Sequence, residues 1–100
     1  MTEQEINYAI HAIATHYGKK AQSMQACEEC AELIQAVSKL TRGVTEMRIS
    51  ALVEEIADVR IMMSQLMQFY GIPEPEVSER IDEKLKRQLE RIREASHEHA

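Results

Sequence analysis

The chain is poor in the residues that punctuate a strand-and-turn fold. It has three glycines and two prolines in 100 residues, too few for the hairpins and tight turns of an all-β domain. Tryptophan is absent, phenylalanine occurs once and cysteine twice, which excludes a disulfide-stapled scaffold. No segment approaches the ~18 consecutive apolar residues of a membrane span. The opening MTEQEINYAI lacks the basic stretch and apolar run of a secretory leader. Positive charge is also scarce: 12 Lys+Arg against 17 Asp+Glu leave a net charge of −5. A general nucleic-acid coat needs a basic face, and a polybasic membrane binder needs a cationic surplus. The expected setting is the cytoplasm, with neither nucleic acid nor membrane as a partner.

What remains is helix-forming. The length suits a single domain over residues 1–100, and the breakers divide it into four runs. Thr2-Glu3-Gln4-Glu5 reads as a capping box, in which Thr2 caps and Glu5 reaches back. Gly18 closes that run and Gly43 closes the next, as expected just past a helix end. Thr45 is a cap for the third, which Gly71 and then Pro73 and Pro75 terminate. Pro75 suits the first turn of a fourth helix, with Glu74, Glu76 and Glu79 near its positive end. The expected helices are 2–17, 20–41, 45–70 and 75–96.

Each run carries an apolar stripe at helical spacing. The stripes are Ile6, Ile10, Ile13 and Tyr17; then Ala26, Cys30, Leu33, Val37 and Leu40. The third is Leu52, Ile56, Val59, Met63, Leu66 and Tyr70, and the fourth is Val77, Ile81, Leu85, Leu89 and Ile92. Four amphipathic helices with short links predict an all-α bundle. The second and third stripes are wider than two short helices cover, which predicts a homodimer or homotetramer. Cys27 and Cys30 form a C-x-x-C inside the second helix. They read as buried small apolar residues, because zinc needs two further ligands and His11, His16, His97 and His99 form no compact motif with them.

The carboxylates are patterned. Glu28-Glu29-x-x-Glu32 lies on the second helix and Glu54-Glu55-x-x-Asp58 on the third. At about 100° per residue, Glu32 lies near −60° from Glu29, and Asp58 lies near −60° from Glu55, each pair beside its apolar stripe. Taken singly, each acidic pair reads as a solvated face. Two copies in one phase predict four carboxylates at the edge of the core. Like charges so placed repel, and oxygen-rich sites suit hard divalent cations. Glu29, Glu32, Glu55 and Asp58 therefore make a candidate Mg²⁺ or Mn²⁺ site. Glu28 and Glu54 lie about 100° further from the stripe. On the fourth helix Lys84 and Arg91 flank the apolar stripe, Gln88 lies between them, and Arg87 is further round. Such cations suit phosphate oxygens, or belong to a helix laced with charged pairs.

These residues resemble a family: the MazG-like all-α nucleoside triphosphate pyrophosphohydrolases. Glu28-Glu29-x-x-Glu32-Leu33, a spacer, Glu54-Glu55-x-x-Asp58-Val59, and the basic Lys84-x-x-Arg87-Gln88-x-x-Arg91 carry the resemblance, which runs from about Tyr17 to Ile92. It implies a MazG-like helical bundle completed by oligomerisation. It also implies Mg²⁺-dependent cleavage of an NTP or dNTP to the monophosphate and pyrophosphate. By motif position, Glu29, Glu32, Glu55 and Asp58 would hold metal, and Glu28 would orient or deprotonate the attacking water. Lys84, Arg87, Gln88 and Arg91 would bind substrate phosphate. Relatives often have Asn near Gln88, and no aromatic partner for the base is identifiable. The sequence has no GxxxxGK[ST] or GxGxxG phosphate loop. Two other readings stand beside this one: a phosphoribosyl-ATP pyrophosphohydrolase, and a non-catalytic helical module that binds another protein.

Overall fold

The computed structural model describes residues 1–98. It consists of four helices: α1 (Glu3–Tyr17), α2 (Lys19–Thr41), α3 (Glu46–Phe69) and α4 (Glu74–Glu98). No strand occurs among the described residues, and no helix is long and apolar enough to cross a membrane. His99 lies outside the described residues.

Local chemistry accounts for the helix ends. The Glu5 backbone N–H donates to Thr2 Oγ1 at 3.1 Å, and the Thr2 N–H donates to Glu5 Oε1 at 3.2 Å. This is the reciprocal capping box, and the cap is worth about 1 kcal/mol. Gly18 ends α1 with φ 92°, and its N–H donates to the Ala14 carbonyl at 2.8 Å. Thr45 Oγ1 accepts from the Arg48 N–H at 3.1 Å and starts α3. Past α3, Gly71 takes φ 63°, a left-handed turn that only glycine makes without strain. Pro73 and Pro75 then set the start of α4, with Pro75 the second residue of that helix.

The α2–α3 pair is the body of the fold, and α1 packs across both of its helices. The four-residue link Arg42–Thr45 turns α3 back along α2. Gln22 and Gln65 face each other across the seam, with Gln22 Nε2 donating to Gln65 Oε1 at 2.9 Å. Residue numbers 22 and 65 add to the same total as 29 and 58, 32 and 55, 36 and 51, and 39 and 48. That is the signature of one unbroken antiparallel register. The buried residues are Ile10 and Ala14 of α1, Gln22, Ala26 and Ala36 of α2, and Val59, Met62 and Gln65 of α3. Small alanines on α2 let the two long helices approach closely.

The core face is rotated from the one the periodicity predicts. Ala26, Val59 and Ile10 are buried as expected, but Cys30, Val37, Ile56 and Met63 are exposed in the chain, as are Ile6, Ile13, Tyr17 and Tyr70. The seam instead follows Gln22, Ala26, Glu29, Leu33, Ala36 and Leu40, a strict i, i+4, i+7 progression that includes polar residues. Cys27 and Cys30 are both free and exposed, a correction to their reading as buried. Their direction follows from the same rotation.

The fourth helix stands apart. Among the described residues it makes no extensive packing contact with the other three. From Ser78 to His97 every residue is exposed, and only Val77 is half-buried. Leu85, Leu89 and Ile92 are 59%, 66% and 63% exposed. The radius of gyration is 17.7 Å, against about 13 Å for a compact 100-residue domain. The four helices expected from the sequence are present, but within one chain only three pack together.

Candidate metal centre

The antiparallel register brings the two acidic motifs together at mid-seam. Glu29, Glu32, Glu55 and Asp58 each offer a carboxylate oxygen, and these four oxygens all lie within 4.8 Å of one another. Glu29, Glu55 and Asp58 are half-buried and Glu32 is exposed, so the group opens to solvent on one side. The helices place them by simple spacing: an i, i+3 pair on each puts two carboxylates on one face one turn apart.

The hydrogen bonding of the cluster is incomplete. Glu29 Oε1 accepts from Gln25 Nε2 at 2.9 Å. Glu29 Oε2 and Glu55 Oε2 are enclosed by protein and have no hydrogen-bond partner. An enclosed carboxylate oxygen without a donor costs at least ~1–3 kcal/mol, and among the described residues no Lys or Arg forms an ion pair with any of the four. Oxygen-only donors, converging from two rigid helices and open on one side, are the donor set of a hard divalent cation that keeps some of its waters. The cluster can hold a metal ion, and the two orphaned oxygens show that these carboxylates are not fully satisfied among the described residues.

The remaining sequence-derived residues are placed differently. Glu28 and Glu54 are exposed neighbours of the cluster, one step round their helices. Lys84, Arg87, Gln88 and Arg91 all sit on the exposed part of α4, which makes no extensive contact with α2 or α3 among the described residues. Within one chain they are not brought to the carboxylates. Part of the charge of α4 is spent along its own surface, in Glu76–Arg80 at 3.7 Å and Asp82–Lys86 at 2.9 Å, and in Glu90–Arg93. The hydrogen bond that Lys86 Nζ donates to the Asp82 carboxylate raises the pKa of the ammonium above its ordinary value.

Two features went unread in the sequence. One is the buried Gln22–Gln65 pair, in which Gln65 is only 1% exposed and its Nε2 has no partner. Glutamines at core positions interrupt an apolar stripe, and that interruption was the available signal. The other is a cleft of about 560 Å³ beside the carboxylates, bounded by Glu32 and Glu55 at one end and by Lys39 and Arg48 at the other. Comparison with protein-family models, with curated proteins and with solved structures finds no match to this chain.

Proposed function

We propose that the protein is a Mg²⁺-dependent nucleoside triphosphate pyrophosphohydrolase, which splits an NTP or dNTP into the monophosphate and pyrophosphate. The observation that carries this reading is the convergence of Glu29, Glu32, Glu55 and Asp58 within 4.8 Å, with two enclosed oxygens unpartnered. The resemblance of the two acidic motifs to the MazG-like family supports it further. So does the cleft that adjoins the cluster.

In this reading the four carboxylates hold Mg²⁺, with Mn²⁺ as a substitute. The bound cation supplies charge neutralisation and Lewis acidity toward phosphate oxygens. The chain's own part is geometric. Two helices fix the carboxylates so that a triphosphate, itself polyanionic, approaches a neutralised site on the open side, where Glu32 lies. Glu28 is exposed one residue before Glu29, and its carboxylate has the chemistry to accept a proton from an attacking water. No covalent nucleophile is required, and Cys27 and Cys30 take no part.

The uncovered apolar stripe of α4 supports the oligomeric part of the reading. Ile81, Leu85, Leu89 and Ile92 are exposed together, on a helix otherwise rich in charge. A homodimer or homotetramer would bury that stripe. The same stripe is what the protein-interaction reading would use.

The test is a pyrophosphate-release screen with Mg²⁺ over the eight common NTPs and dNTPs and phosphoribosyl-ATP, beside Mg²⁺ titration calorimetry. Mg²⁺ binding with turnover of at least one nucleotide supports the proposal. Activity confined to phosphoribosyl-ATP selects the related enzyme. Absence of both Mg²⁺ binding and turnover overturns it in favour of the helical interaction module.

A further inference from the structure

We propose that the cleft at the loop end of the α2–α3 pair is a pyrophosphate subsite, and that Lys39 and Arg48, rather than the cations of α4, hold the two distal phosphates. The inference rests on the function proposed above and deepens it, by naming residues on the same two helices that complete the site.

The argument starts from the register. Lys39 follows Glu32 by seven residues on α2, and Arg48 precedes Glu55 by seven on α3. Seven residues are nearly two full turns, so each cation shares a helix face with its carboxylate and lies about 10.5 Å further along the axis. Because the helices are antiparallel, both displacements run toward the same end, the Arg42–Thr45 loop. Ala36 and Ala51 occupy the layer between, and their small side chains leave the space open. The cleft of about 560 Å³ is lined by these alanines with Gln35 and Met47, by Glu32 and Glu55 toward one end of the register, and by Lys39 and Arg48 toward the other.

The two cations are also available. In a chain with five surplus negative charges, neither Lys39 nor Arg48 forms an ion pair among the described residues; the three ion pairs all lie within α4. Arg48 is half-buried, and its Nη1 donates to the Gly43 carbonyl at 2.7 Å. That contact fixes the guanidinium while leaving most of its five N–H donors uncommitted. Gly43 takes φ 153°, and a Cβ there would stand 3.1 Å from Arg48 Nη1, so the glycine keeps the arginine's place clear. A planar guanidinium beside an ammonium suits a diphosphate, which carries most of a triphosphate's charge. A carboxylate-held cation at one end and the Lys39 and Arg48 side chains at the other match an anion of polyphosphate length. The scissile α–β bond then falls near the carboxylates, and the leaving pyrophosphate points toward the loop.

Binding of inorganic pyrophosphate, measured by calorimetry on the full chain at saturating Mg²⁺, tests the assignment without any need for turnover. Lys39→Gln should weaken pyrophosphate at least tenfold, while leaving Mg²⁺ affinity measured alone within threefold of wild type. Arg48→Gln should do the same. Arg48→Lys, which keeps the charge and loses the planar fork, should fall between, and circular dichroism melts of each variant check that the fold is intact. Lys84→Ala and Arg91→Ala should bind pyrophosphate within twofold of wild type. If wild type binds Mg²⁺ and pyrophosphate but Lys39→Gln binds pyrophosphate equally well, the subsite assignment is overturned and the metal-dependent function stands. A loss confined to the Lys84 and Arg91 variants overturns it in the same way and places the phosphates on α4. If wild type binds no Mg²⁺, the proposed function fails and the subsite falls with it.

Discussion

Replacing Glu55 with glutamine isolates the electrostatic state of the metal centre. The substitution keeps the size of the side chain and removes one of four charges. Its three neighbours each offer an oxygen within 4.8 Å. At that separation each like-charged pair repels by about 0.9 kcal/mol in bulk water and about 3.5 kcal/mol at an effective dielectric of 20. Glu32 is exposed and can swing away, and solvent reaches the open side, so the net relief belongs toward the lower figures, about 1–3 kcal/mol. A second gain has the same sign: the enclosed Oε2, which has no donor, becomes part of an amide able to donate to a neighbouring carboxylate. In EDTA, Glu55→Gln should therefore melt above wild type, by about 4–8 °C for each kcal/mol in a domain of this size. With Mg²⁺ at a hundred times its Kd, wild type should gain about 2.7 kcal/mol, and the variant should gain much less. Scanning calorimetry in EDTA and in Mg²⁺ measures all four values. A variant that melts below wild type in EDTA, or that Mg²⁺ stabilises as strongly as wild type, would refute the account of the cluster as a cation site strained by its own charge.

Four further outcomes follow from the same structure. Glu28→Gln should bind Mg²⁺ and nucleotide nearly normally while kcat falls by about 10²-fold or more, the usual scale for losing a general base; steady-state kinetics beside calorimetry checks this. Gln65→Leu should cost about 1–3 kcal/mol because it strands the buried Gln22 amide, whereas the Gln22→Leu/Gln65→Leu pair should recover much of that loss in a urea-denaturation cycle. Thr2→Ala should cost about 1 kcal/mol by removing the cap of α1, read as a lower urea midpoint with unchanged slope. Wild type should sediment as a dimer or larger at micromolar concentration, and Leu85→Glu/Leu89→Glu should shift it toward a monomer of 11.5 kDa; a wild-type monomer would remove the oligomeric part of the proposal.

The order of amino acids sets where the helices begin and end, because those signals are local. The Thr2–Glu5 box, the Thr45 cap, the left-handed Gly71 and the prolines after it act within a few residues of chain, where backbone geometry is decided. It also determined that Glu29 and Glu32 share a face, as do Glu55 and Asp58, since helical periodicity alone sets that. The exact faces that meet are set by packing between helices. A periodicity argument weighs apolar residues and skips polar ones, so the buried Gln22–Gln65 pair was missed and exposed Cys30 and Val37 were placed inside. Close approach of α2 and α3 depends on Ala26 and Ala36, whose small size matters only opposite a particular partner. The antiparallel register then brought Lys39 and Arg48 to the cleft that Glu32 and Glu55 also line, although the motif pattern alone pointed to the cations of α4. The position of α4 was equally beyond a single-chain reading: its apolar stripe is plain in the sequence, but a stripe does not say which surface it meets, and here Ile81, Leu85, Leu89 and Ile92 stay exposed.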